Sequence, residues 1–231
     1  MLVWGRAPSP VQAEQSSAAA CGLSWIRRDR QVLMNQVPMD ADFSIELGRE
    51  DPVLDFPWKD PAGKLAYVDL KRQPELMARI EEAEQFPELG EFLRTLNSPR
   101  SMVETAKCDA WETSELSAEE EVYAASHKFA SYVDVVFSNI DARLSLSTHE
   151  RFARKLVALL QRAPETPSAA EVCVRRCYFA EEGGVREGFY FTLYVSGYGN
   201  DGTSARQNWG IGLRLAGNAI VQLSANGARR G

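Results

Sequence analysis

The sequence predicts an α+β protein: an antiparallel sheet with amphipathic helices packed on one face. Two patterns predict it. Several stretches alternate apolar and polar side chains with period two, as a half-buried strand requires, and residues 43–47 and 189–198 are clear cases. Others repeat apolar residues at intervals of three and four, the spacing of a packed helix, as at Trp209, Leu213, Ala216, Ile220 and Leu223. The order strand, strand, helix recurs over residues 51–97, 102–163 and 169–224, which raises the expectation of tandem ββα units, although no residue-level repeat is visible.

The elements follow in order. Residues 1–38 are rich in Ala, Ser, Pro and Gln, lack a sustained period and contain the basic run Arg27-Arg28-Asp29-Arg30, so a disordered or weakly ordered N-terminal extension is expected. Met34 and Met39 are alternative starts, and Met39 falls one residue before the patterned sequence. One α+β domain is expected over 39–226, with a flexible tail at 227–231. Residues 53–56 and 65–70 flank the turn-forming Lys59-Asp60-Pro61-Ala62-Gly63 and read as a hairpin. Pro74 and Pro87 open helices, the second carrying Leu89, Phe92, Leu93 and Leu96. A strand pair follows at 102–113 and 128–137, joined by an acidic linker in which Ser117 and Glu120 fit a capping box. Ser147 and Glu150 fit a second box, ahead of Phe152, Leu156, Leu159 and Leu160. Strands at 171–179 and 188–198 come next, and Thr203 is placed to cap the last helix.

Composition narrows the function classes. At 231 residues, 45% hydrophobic and 25% charged, the chain is of ordinary globular type. A net charge of −6 argues against nucleic acid as partner, because phosphate binding needs clustered Lys and Arg. No apolar run reaches the roughly 18 residues of a membrane span, and the polar stretch ahead of Ala18-Ala19-Ala20-Cys21 breaks any export signal, so no membrane role and a cytoplasmic location are expected. The charge is uneven. Residues 39–138 carry 22 acidic and 10 basic side chains, residues 139–231 carry 8 and 12, and mutual attraction of the halves is the simplest account. Cys173 and Cys177, four apart on one strand, are about 13 Å apart and cannot bridge; with Cys21 and Cys108 they read as free thiols.

Neither histidine lies near a nucleophile, and His149 in a first helical turn is expected to be neutral. No cofactor or metal motif is present. On 189–198, Phe189, Phe191, Leu193 and Val195 should face the helices and Tyr190, Thr192, Tyr194, Ser196 and Tyr198 the other side. One of Arg175 and Arg176 joins that tyrosine face, with Tyr178 beside Arg176 in the binding set. Tyr and Arg favour recognition surfaces, so a non-enzymatic ligand- or protein-binding module, with a homodimer as one arrangement, is the leading expectation. The competing account has the tyrosines packing under the acidic linker. The alternative function is a metal-assisted or acid–base enzyme that brings Asp109 and Asp134 together across the strand pair, with Arg175 or Arg176 placing an anionic substrate. Gly210 and Gly217, seven apart, admit close approach of either the sheet or another subunit.

Overall fold

The computed structural model describes residues 39–117, 120, 123–163 and 166–228; the expected N-terminal extension lies outside them, as do residues 229–231. The strands are β1 (Asp40–Glu46), β2 (Val53–Phe56), β3 (Val103–Thr113), β4 (His127–Phe137), β5 (Ser168–Glu181) and β6 (Gly184–Gly199). A 3-10 helix (Pro74–Arg79) precedes α1 (Glu81–Gln85) and α2 (Pro87–Leu96); α3 (Ile140–Arg143), α4 (Leu146–Leu160) and α5 (Gly202–Ala228) follow. The last helix thus runs two residues into the segment expected as a tail.

The six strands form one mixed sheet in the order β1-β5-β6-β4-β3, with β2 also on β5. The β3/β4, β4/β6 and β5/β6 pairs are antiparallel. β1 and β2 instead run parallel to β5, β1 along its first half and β2 along its second, so the two are one edge strand interrupted at residues 47–52. Gly48 and Pro52 in the interruption disfavour a continuous ladder, and the Arg176 guanidinium donates to the Leu47 carbonyl there.

This corrects the expected hairpin. The turn forms, with Gly63 at φ +69° and its N–H donating to the Asp60 carbonyl at 2.9 Å. Residues 65–70, however, make one isolated bridge, Lys59 to Ala66, and no strand. Alternation marks 53–56 as extended but leaves its partner open, and β5 supplies it from more than a hundred residues away. The hairpins β3/β4 and β5/β6 are each followed by helix, but residues 51–97 carry helices without a hairpin, so three tandem ββα units do not describe the sheet.

α2, α4 and α5 share one face of the sheet. Against it pack Val133, Val135 and Phe137 of β4, Val172 and Val174 of β5, and Phe191, Leu193 and Val195 of β6. Trp209 of α5 is fully buried in this layer, its indole N–H donating to Ser131 Oγ at 2.9 Å, so the polar edge of a large core residue is satisfied. Gly210 and Gly217 are absorbed inside the molecule. A Cβ at Gly210 would lie 3.1 Å from Glu88 Cγ, and one at Gly217 3.3 Å from Phe92, both on α2. Three ion pairs join the acidic first half to the basic second half: Glu46 with Arg175, Glu104 with Arg143, and Glu88 with Arg206.

Two caps sit two residues earlier than expected. Ser145, not Ser147, accepts from the Thr148 N–H at the start of α4. Asp201, not Thr203, accepts from the Ser204 N–H at 2.7 Å at the start of α5. In both, the short polar side chain that turns back is the one just outside the first helical residue.

Candidate functional site

The site is built on the sheet face away from the helices. Alternation along β6 sends Tyr190, Thr192, Tyr194, Ser196 and Tyr198 to this face, as expected. Register then aligns three cross-strand rows. Asp134, Thr192, Cys173 and Ser44 are successive partners across β4, β6, β5 and β1; Tyr132, Tyr194, Glu171 and Asp42 form the next row; Tyr190, Arg175 and Glu46 form a third.

Both ends of this face are covered. At one end residues 57–70 fold over it: Trp58 donates its indole N–H to the Ala106 carbonyl at 2.6 Å, and Phe56, Tyr67, Phe179 and Tyr190 form a small second core. At the other end Tyr123 stacks on Tyr198 with ring centroids 4.0 Å apart, and the Tyr198 hydroxyl donates to Glu120 Oε1 at 2.7 Å. Burial and the neighbouring Glu120 carboxylate raise the Tyr198 pKa. Burial alone would raise Glu120 as well, but the Lys128 ammonium bonded to it holds it below the usual carboxylate range. The tyrosine set is therefore divided. Tyr190 and Tyr198 are each 3% exposed under these covers, Tyr198 beneath the acidic linker, while Tyr194 lies half-buried between them.

Around Tyr194 runs a hydrogen-bonded chain across four strands. Arg175 Nε donates to Glu46 Oε2 at 2.7 Å, and Arg175 NH1 donates to Thr192 Oγ1 at 3.0 Å and to the Tyr194 hydroxyl at 3.2 Å. Thr192 Oγ1 in turn donates to Asp134 Oδ1 at 2.7 Å. Arg175, Thr192 and Asp134 are all buried, and the Lys107 ammonium lies 5.4 Å from the Tyr132 ring centre. Register decides between the two arginines. Arg175 pairs with Tyr190 and joins the tyrosines; Arg176 pairs with Phe189 and Tyr178 with Glu187, which puts both on the helix side. Thr192, Glu46 and Lys107 were not singled out from sequence; the charges of Glu46 and Arg175 are complementary, but nothing local indicates that they meet.

Asp109 and Asp134 share this face but are not opposite one another. Tyr132 is the cross-strand partner of Asp109, and Lys107 that of Asp134, one row apart. Among the described residues one trio of ligand-bearing side chains converges, Glu46, Glu171 and Cys173, with ligand atoms within 4.8 Å. Burial pushes the Cys173 thiol pKa up, and burial followed by the Glu46 charge among other causes does the same for Glu171. The Arg175 guanidinium already sits on Glu46, so a cation there would face a fixed positive charge.

His149 is fully buried on the helix side, ringed by Phe137 and Phe191 at 4.7 Å and Phe189 at 5.7 Å. It is neutral as expected, but chiefly through burial, which lowers its pKa to about 4. Cys108, Cys173 and Cys177 are free thiols. No helix among the described residues is long and apolar enough to cross a membrane. No known family model, curated protein or solved structure matches the chain.

Proposed function

We propose that the protein is a non-enzymatic binding module that recognises its ligand or partner protein with the helix-free sheet face centred on Tyr194 and Arg175. The observation that carries this reading is the chain Glu46-Arg175-Thr192-Asp134, buried except at Glu46. Well-packed apolar residues of similar size are often as stabilising as a buried ion pair, or more so, so the charges are better accounted for by specificity than by stability. The chain also holds the Tyr194 ring and hydroxyl in a set orientation, and a preordered Tyr beside Arg loses little freedom on binding.

A thermal-melt screen of the full chain against metabolites, nucleotides, divalent metals and peptides tests it. A ligand at 100 times its dissociation constant adds about 2.7 kcal/mol to stability. The shift should vanish in Tyr194→Glu while the unliganded variant still melts cooperatively. A shift that persists in the variant, or a variant that no longer folds, removes Tyr194 as a recognition residue.

A further inference from the structure

The ion pairs that join the two halves of the chain leave a basic remainder. α4 turns Arg151, Arg154 and Lys155 outward, Arg162 is exposed in the turn that ends it, and among the described residues only Arg154 has a carboxylate, Glu150 at 2.7 Å. Lys155 in α4 and Arg162 just past its end border one groove of about 220 Å³ between α4 and α5. Ala158, Leu159 and Leu223 give it an apolar floor, with Lys155 of α4 and Arg162 beyond its end on one side and Gln222 and Asn226 of α5 on the other. Leu159 and Leu223 also pack on the main core, which keeps the floor in place. Among the described residues no acidic side chain lines it, although the chain as a whole has a net charge of −6.

We propose that this groove binds a small amphipathic organic anion, a carboxylate or phosphate head carrying a short apolar body. Lys155 and Arg162 hold the head, Arg162 with the planar fork that matches either group. The side-chain amides of Gln222 and Asn226 donate from the opposite wall. The body lies on Leu159 and Leu223. The apolar floor is three side chains in extent, which suits a short chain. The site is on the helix layer and does not depend on the role of the sheet face.

Amide-resolved NMR titration of the full chain with octanoate, with neutral octanamide and with inorganic phosphate tests the proposal. Octanoate should give saturable shifts confined to the two helices bordering the groove. Octanamide and phosphate should each bind at least tenfold more weakly, since one lacks the charge and the other the apolar body. Lys155→Gln with Arg162→Gln should weaken octanoate at least tenfold, the scale of a lost charge-assisted hydrogen bond. Both side chains are exposed, so the melting temperature of the double variant should be unchanged, which separates lost binding from lost folding. Absence of saturable binding, equal binding of octanamide or phosphate, or octanoate binding unchanged in the double variant would overturn it.

Discussion

His149 should make this fold lose stability on acidification. Its Nδ1 lies 2.9 Å from the Ser145 carbonyl and donates to it in the neutral tautomer, while Nε2, with at most a weak contact to the Phe189 backbone and no well-formed hydrogen bond, faces the rings of Phe137, Phe189 and Phe191. Charging the imidazole there would place an unpaired cation in an apolar layer. The pKa is about 4 in the folded chain against an ordinary 6.5. Between those two values the unfolded chain binds a proton that the native chain refuses, so stability falls as pH falls through this window. At about 1.36 kcal/mol per pH unit, the loss from pH 7 to pH 4 is about 3 kcal/mol. Urea unfolding at several pH values measures it, with His149→Phe as the reference. Phe is close in shape and cannot titrate, and at pH 7 the variant should lie within about 1–3 kcal/mol of the native chain through overpacking and the lost bond to Ser145. Carboxylates with shifted pKa, raised at Asp40, Glu82, Glu104 and Glu171 and lowered at Glu88 and Glu120, titrate in both chains and cancel in the difference. The gap between the two chains should therefore move by about 3 kcal/mol in favour of His149→Phe on going to pH 4. A gap independent of pH would refute the assignment of His149 as a buried neutral group.

Thr192→Val keeps the shape of the side chain but removes the hydroxyl that both accepts from Arg175 and donates to Asp134; a loss of about 2–3 kcal/mol is expected in denaturant unfolding, and a loss below about 0.5 kcal/mol would mean the chain across the four strands contributes little. Gly197→Ala places a Cβ 2.0 Å from the Trp209 backbone nitrogen, a contact no side-chain rotation relieves, so the variant should fail to fold cooperatively by near-ultraviolet circular dichroism. Gly217→Ala is the contrasting case. Its Cβ meets only the edges of Phe92 and Thr95 at 3.3 and 3.4 Å, and the gain in helix propensity of up to about 1 kcal/mol offsets the crowding, so its midpoint should change by less than about 1 kcal/mol.

Local pattern determined a good deal of this molecule. Alternation in residues 43–47 and 189–198 and β-branched and aromatic content in residues 131–137 were enough to mark strands, and parity sorted the residues of β6 between its two faces, because side-chain direction in a strand alternates. Three- and four-residue spacing was enough for α2, α4 and α5, and composition was enough for free thiols at Cys108, Cys173 and Cys177. Partner and register were decided only in the tertiary structure. Residues 53–56 look the same whether they pair with 65–70 or with β5, and the parallel pairing follows from where β5 lies once the core has formed. The same holds for the site. Parity could say that one arginine shares a face with Tyr194, but not which, since adjacent residues differ by a one-residue shift in register. Nor could it say that Trp58 and Glu120, distant in sequence, reach the two ends of that face and bury Tyr190 and Tyr198. Alternation and helical periodicity are short-range consequences of backbone geometry, whereas covers, ion pairs and registers depend on contacts between segments whose separation along the chain carries no local signal.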